Sequence, residues 1–200
     1  QRVSAEGRPV RVVDSLNAST GEGLVAVAAA EAAAAGGDLD AVERAAQEAV
    51  LHTQTFALLK TVDFAVRGGR VPAIVGKIAK LLRLNVILCT DPGGRVAAGG
   101  GLLGAHSLRE RFARFVVRRV SFDRRTERLR IFVGHGDLPA AGAALVEDLR
   151  HRFGDDVIEF AALTDMGPAV GVHGGPGTLI VAVHRVRNDQ PKAATTSGGA

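Results

Sequence analysis

Two patterns of apolar and polar positions follow one another along the chain. Short runs of apolar and β-branched residues predict strands, and apolar residues that recur every three or four positions predict helices. Because the two patterns alternate, the sequence predicts an α/β fold in which helices flank a mixed sheet. Strands are predicted at residues 10–13, 53–58, 84–90, 129–133, 157–163 and 179–183, and helices at residues 24–35, 38–51, 62–67, 73–82, 108–118 and 138–149.

The composition narrows the function classes. Of the 200 residues, 46% are hydrophobic and 23% are charged, as expected for a folded protein with a real core. The formal net charge is +4, but the basic residues are scattered and aromatic residues make up only 4%, so nucleic acid is not an expected partner. No apolar stretch approaches the length of a membrane span, so stable membrane insertion is not expected either.

The single cysteine and the six histidines add little chemistry of their own. Cys89 lies inside an apolar run and is interpreted as a small buried residue rather than a nucleophile. One cysteine cannot form an internal disulfide, and residues 1–9 lack the apolar core of a signal peptide, so we expect a cytoplasmic protein. The histidines other than His173 show no metal-ligand spacing, and we expect neither a metal site nor a cofactor.

Three segments carry the candidate chemistry: Asp14-Ser15, Gly68-Gly69-Arg70, and the glycine-rich segment 171–177 around His173. Because glycine has no Cβ, the backbone of segment 171–177 can lie close to a group that the imidazole contacts. A guanidinium offers a fork of donors to a carboxylate, and an imidazole can donate one hydrogen bond to a carboxyl oxygen. Structural alternatives stay open: His173 capping a carbonyl, Arg70 capping a helix end, and Asp14-Ser15 closing an Asx turn.

The order and spacing of these segments resemble the DegV family of bacterial fatty-acid-binding proteins, over residues 10 to 186. The resemblance implies a carrier that buries a long-chain fatty acid in an apolar tunnel. It implies that the carrier is not itself an enzyme and presents the carboxyl group to a separate kinase subunit, which makes acyl phosphate for phospholipid synthesis. The residues it implies are Arg70, His173 and Gly174 for binding the carboxylate, and Asp14, Ser15, Gly68, Gly69, Gly175 and Gly177 as turn residues near the ligand.

The chain departs from the family pattern in three places. Asn85-Val86 stands where the family has Lys-Pro, and Gly174 stands where it has Thr. The family's amino-terminal region, with its Thr-Ser and Ser-Gly-Thr motifs, has no counterpart, so we expect this chain alone to bind a fatty acid weakly. The resemblance implies a flexible amino terminus (1–9), the last strand and helix of a first α/β domain (10–52), a complete second domain (53–187) and a disordered tail (188–200).

Two other function classes fit parts of the sequence. Dihydroxyacetone kinase subunits resemble this fold and hold their substrate through a histidine, so His173 could instead bind a small carbonyl compound. A polar pocket would favour that hypothesis, and an apolar tunnel would favour the acyl carrier. In a plain interaction module, the basic residues of the segment 108–118 would dock an acidic protein: Arg109, Arg111, Arg114 and Arg118.

Overall fold

The computed structural model describes residues 9–69 and 71–188. Its centre is a six-stranded mixed sheet with the strand order β3-β2-β1-β6-β4-β5, in which β4 and β5 are parallel and every other pair is antiparallel. The predicted α/β class is confirmed. The strands are β1 (Thr53–Leu58), β2 (Leu84–Thr90), β3 (Val96–Leu103), β4 (Glu127–His135), β5 (Ile158–Asp165) and β6 (Leu179–Arg187).

Seven α-helices flank the sheet in the described residues. They are α1 (Thr20–Ala34), α2 (Leu39–His52), α3 (Asp63–Arg67), α4 (Ala73–Leu81), α5 (Leu108–Arg119), α6 (Pro139–Phe153) and α7 (Pro168–Gly174). Local signals set several boundaries. Asp38 caps α2 by accepting a hydrogen bond from the backbone N–H of Ala41 at 2.8 Å. Pro139 begins α6 in the first turn, where its missing N–H is not needed.

One face of the sheet is a dry core, which we call the packed face. Phe56 and Leu58 of β1 point to this face, and α5 and α6 cover it. Leu145, Leu149 and Phe153 of α6 recur at helical spacing and are all buried, as an amphipathic helix requires. The same cluster contains the buried residues Ile87, Phe112, Val116, Leu129, Ile131, Val133, Val181 and Val183.

The opposite face is covered only in part by helix, and we call it the cavity face. Helix α1 contacts β1, β4 and β6 on this side. Arg130 of β4, of which 5% of the side chain is exposed, holds α1 by an ion pair to Glu31 at 2.5 Å and also pairs with Glu159 of β5 at 2.9 Å. Helices α1 and α2 therefore both pack against the sheet to which all six strands belong. The division into two domains at residue 52 stays a prediction.

Two local predictions are wrong, and one strand was not predicted. Residues 10–13 are not a strand, because no strand among the described residues pairs with them, and Val12 is 89% exposed while Arg11 pairs with Asp40. Strand β3 was not predicted, because its three consecutive glycines carry no side-chain pattern. The segment predicted as a turn around His173 begins as the short helix α7, with Pro168 in its first turn. The predicted tail lies outside the described residues, except for Asn188.

Candidate functional site

A cavity of about 500 Å³ lies on the cavity face, beside the part that α1 covers. We call it the sheet cavity. Alternate residues of β1 and β2 form its floor, because side chains on a strand point to opposite faces in turn. Helices α3 and α7, together with the residues just before α1 and just before α4, supply its walls. Its apolar lining is made by Ala18, Ala57, Leu59, Val62, Ala65, Val71, Pro72, Val86, Leu88, Val96, Ala98, Val170 and Ile180.

Small side chains explain why this face stays open. Ala57 is central in the floor, Ala98 lies on the edge strand, and Ala18 and Ala65 stand in the walls. On the packed face the same strands carry Phe56, Leu58 and Ile87, whose bulk meets the helices directly. The lining is therefore apolar, and its small side chains leave open space. Such a cavity suits a flexible hydrocarbon better than a small polar compound.

His173 stands at one end of the sheet cavity, in the last turn of α7. Its ring packs on Gly68 so closely that a Cβ at position 68 would overlap Nδ1. Nδ1 is buried and has no hydrogen-bond partner among residues 9–69 and 71–188. The structure thus brings together two segments that the sequence analysis selected separately, and it explains why the first of them needs a glycine.

Gly175 and Gly177, in the loop after α7, pack against protein rather than against the cavity. Gly175 and Gly177 have φ values of +75° and +88°, which other residues adopt only with strain. A Cβ on Gly175 would overlap the ring of Phe64, and a Cβ on Gly177 would lie 2.5 Å from the side chain of Lys60. These glycines let the loop close onto α3 and so fix the position of His173.

Gly174 and Thr178 complete this end of the cavity. Both are buried and line it, and the Thr178 hydroxyl donates to the Gly174 carbonyl at 2.8 Å. Backbone bonds hold the loop to the end of β4, from Gly177 N to Gly136 O at 2.7 Å and from Gly136 N to Thr178 O at 2.9 Å. Thr178 was missed in the sequence, where a threonine at the start of a strand carries no functional signal.

Hydroxyl groups line another part of the cavity. They belong to Ser19, Thr55 and Thr90, and Asn17 joins the two threonines by accepting from Thr55 Oγ1 at 2.8 Å and from Thr90 Oγ1 at 3.4 Å. A Cβ on Gly21 would overlap Thr55 Oγ1, so this glycine lets α1 approach the sheet here. This group could not be selected from the sequence, because its members come from three separated segments.

Asp14 and Ser15 have structural roles in the segment before α1. Asp14 Oδ1 accepts from Leu16 N at 3.0 Å, which is the Asx turn left open as an alternative. The Ser15 hydroxyl donates to Asn17 O at 3.1 Å, and the Asn17 side-chain amide donates to Ser15 O at 3.0 Å. Asp14 therefore closes the turn and Ser15 orients Asn17, and neither residue lines the cavity.

The predicted site residues thus divide into three groups. His173 and Gly174 line the sheet cavity. The turn residues do not line it but shape the segments that do: Asp14, Ser15, Gly68, Gly69, Gly175 and Gly177. Arg70 lies outside the described residues. Ligand contact by any of these residues stays a prediction.

Three further observations complete the description of residues 9–69 and 71–188. Cys89 lines the sheet cavity, but burial raises the pKa of its thiol and the positive charge of Arg119 opposes this only in part, so the thiol is a poor nucleophile. Across residues 9–69 and 71–188, no group of three or more His, Cys, Asp or Glu side chains is placed to hold a metal ion. None of the helices described is both long enough and apolar enough to cross a bilayer.

Comparison with known proteins identifies the family. The family model described as "Uncharacterised protein, DegV family" matches residues 1–185. The chain belongs to the DegV family. It is 33% identical over 177 residues to a DegV domain-containing protein of Mycobacterium bovis and 31% identical over 176 residues to one of Streptomyces coelicolor, in each case over 88% of this chain. The chain spans 61% and 60% of the lengths of these two relatives.

Solved structures of DegV proteins share the fold. A fatty-acid-binding DegV protein of Thermus thermophilus is 26% identical with a TM-score of 0.72, over 92% of this chain and 64% of that one. A DegV protein of Eubacterium eligens loaded with heptadecanoic acid has a TM-score of 0.76 at 19% identity, over 92% and 64%. The fatty acid kinase B3 protein of Streptococcus pneumoniae, loaded with linoleic acid, has a TM-score of 0.75 at 16% identity, over 91% and 62%.

Proposed function

We propose that this DegV protein is a fatty-acid carrier whose sheet cavity holds the acyl chain and whose His173 binds the carboxylate. The observation that carries the proposal is a cavity of about 500 Å³ with a mainly aliphatic lining and an imidazole at one end. Each methylene buried in such a lining contributes about 0.8 kcal/mol. A small carbonyl compound would leave most of this lining uncovered, so the cavity favours an acyl ligand over the dihydroxyacetone alternative.

The surroundings of His173 suit a carboxylate. No acceptor reaches Nδ1 within residues 9–69 and 71–188, and an unpaired buried N–H is unfavourable. We therefore infer that the proton of the neutral ring is on Nε2, from which it can be donated to a carboxyl oxygen. Gly68 and the loop 174–177 hold the His173 ring in place. The side chain therefore loses little conformational entropy when a ligand binds.

The second part of the proposal is that a separate kinase subunit phosphorylates the bound carboxyl group. A fatty acid kinase component is among the proteins that share this fold. In that reaction a carboxylate oxygen attacks the transferred phosphoryl group. A donor at His173 would fix the orientation of the attacking oxygen, and the kinase would supply the nucleotide and the other catalytic groups. The carrier itself then catalyses no reaction alone.

Calorimetry of the delipidated protein with hexadecanoate tests the carrier role. We expect stoichiometric binding that Ala57→Phe abolishes, because the new ring fills the floor of the cavity. The matched control is Ala97→Phe, which changes an exposed residue of β3 that does not line the cavity and should leave the affinity unchanged. Equal affinity in both variants would contradict the proposed site.

A second experiment separates binding from presentation. In a kinase-coupled assay, His173→Ala should slow formation of acyl phosphate more than it weakens binding. The apolar lining dominates affinity, whereas one hydrogen bond to a carboxylate contributes roughly 1–3 kcal/mol. A variant that keeps full turnover, or that loses its lipid completely, would contradict the role assigned to His173. Both experiments include a protein extended to the full length of the relatives, since weak binding by this chain alone is expected.

A further inference from the structure

The sheet cavity is polar at two places, and the second is distant from His173. Leu58 of β1 pairs with Leu179, next to Thr178 and the His173 loop, whereas Thr55 pairs with Ala182. Three residues of a strand separate these points, which is about 10 Å. Between them the floor is apolar, with Ala57, Leu88 and Ile180. We call the group of Ser19, Thr55 and Thr90 the hydroxyl end of the cavity.

The hydrogen bonds of Asn17 fix the direction of the threonine hydroxyls. Its Nδ2 donates to the Ser15 carbonyl at 3.0 Å, so its Oδ1 is the atom that faces the threonines. Oδ1 accepts from Thr55 Oγ1 at 2.8 Å and from Thr90 Oγ1 at 3.4 Å. Both hydroxyl protons therefore point to Asn17, away from any ligand.

The oxygen atoms keep acceptor capacity. A hydroxyl oxygen has two lone pairs. Among residues 9–69 and 71–188, Thr90 Oγ1 accepts one hydrogen bond, from Thr55 N at 3.3 Å, and Thr55 Oγ1 accepts none. Ser19 lines the cavity beside them, and its side chain makes no cap hydrogen bond to α1. The hydroxyl end thus offers acceptors to a ligand, and one freely rotating hydroxyl.

We infer that the hydroxyl end binds a hydrogen-bond donor on the ligand, and that the preferred ligand is a long-chain fatty acid that carries a hydroxyl group about 10 Å from its carboxylate, near the middle of a sixteen-carbon chain. This inference rests on the proposed function, because it takes the carboxylate to lie at His173. A hydroxyl group at that position would donate to the oxygens of Thr55 or Thr90. A methylene group there would leave their remaining acceptor capacity unused. An oxo group there would bring a further acceptor to these two oxygens.

Competition calorimetry with three ligands of equal length tests the inference on the wild-type protein. The ligands are hexadecanoate, 9-hydroxyhexadecanoate and 9-oxohexadecanoate. We expect the hydroxy acid to bind about tenfold more tightly than hexadecanoate, as one added hydrogen bond implies, and the oxo acid to bind no more tightly than hexadecanoate. Equal affinity for all three ligands, or a preference for the oxo acid, would overturn the inference while leaving the carrier role intact. If none of the three binds even to the full-length protein, the proposed function itself fails.

A pair of variants locates the effect. Thr90→Val is nearly isosteric and should remove most of the preference for the hydroxy acid over hexadecanoate. The matched control is Thr53→Val in β1, on the same face, whose hydroxyl donates to Ala49 O at 2.7 Å and does not line the cavity. That control should lower stability and keep the preference. A preference that survives Thr90→Val and Ser19→Ala together would place the recognition elsewhere and overturn the inference.

Discussion

The two faces of the sheet use the same strands for opposite purposes. On the packed face, Leu58 and Ile131 meet α5 and α6, and the side chains fill the space between sheet and helices. On the cavity face, Ala57 is the neighbour of Leu58 in β1, and Leu88 lies beside it in β2. Here a cavity of about 500 Å³ remains. The difference teaches that the fold takes its stability from one face and can leave the other free for a ligand.

The largest expected difference between the two faces is in how much their side chains contribute to the free energy of unfolding. Leu58→Ala on the packed face should lower the free energy of unfolding by about 2–5 kcal/mol, because it creates a void in a filled core. Leu88→Ala on the cavity face should lower it by less than about 1 kcal/mol, since that side chain already borders open space. Urea unfolding of the delipidated proteins measures both. Equal losses would mean that the two faces are packed alike.

The next effect concerns pH and the part of the cavity face that α1 and α2 cover. His184 is 5% exposed and pairs in register with Arg130. Burial first, and then the positive charges of Arg130 and His52, lower the pKa of His184 to about 4. The unfolded chain therefore binds one more proton than the folded chain between pH 4 and the ordinary histidine pKa of about 6.5.

The free energy of unfolding that is linked to neutral His184 is fully present above about pH 6.5. It is lost as the pH falls toward 4. The loss from His184 is roughly 3 kcal/mol over that window. His184→Leu should flatten the pH dependence of the free energy of unfolding, and His151→Leu, at an exposed histidine of α6, should not. The same slope in wild type and His184→Leu would show that this histidine is not held neutral by the fold.

A smaller effect tests the contact between α3 and α7. Gly68→Ala places a Cβ where the His173 ring lies, so the ring must move and hexadecanoate should bind several-fold more weakly. Gly69→Ala is the matched control. Its φ of +70° makes alanine strained, but among residues 9–69 and 71–188 no atom outside its chain neighbours lies within 4 Å of the added Cβ. It should lower stability without weakening binding. Weaker binding in both variants would mean that loop strain, and not the position of His173, is responsible.

Much of the fold could be predicted where the signal is local. The bounds of β1 and β2 agree with the sequence prediction, because turn residues or helix ends flank their apolar runs. The predicted start of α2 at residue 38 lies one residue before the observed start, and Asp38 is the capping residue there. Strand β3 could not be predicted in this way. Its free edge is held by α5, where Arg119 donates to Gly99 O at 2.9 Å and Arg111 donates to Leu103 O at 2.7 Å.

The candidate site, like the fold, could be predicted only where the signal is local. His173 and Gly68 could be selected by local composition, but their contact depends on how α3 packs against α7. Residues 10–13 have β-branched side chains and still form no strand, because pairing needs a neighbour that sequence pattern does not supply. The hydroxyl end of the cavity was missed completely, since Asn17, Thr55 and Thr90 become one group only through tertiary hydrogen bonds.

The most direct test of the central claim is to see which face of the sheet touches the ligand. Isotope-filtered nuclear Overhauser spectroscopy with carbon-13-labelled hexadecanoate reports contacts between ligand methylenes and protein methyl groups. The account predicts contacts to Ala57, Leu88 and Ile180 of the cavity face, and none to Leu58 or Val181 of the packed face. Contacts confined to the packed face or to exposed side chains, with the cavity-face methyl groups silent in a complex that binds, would contradict the account.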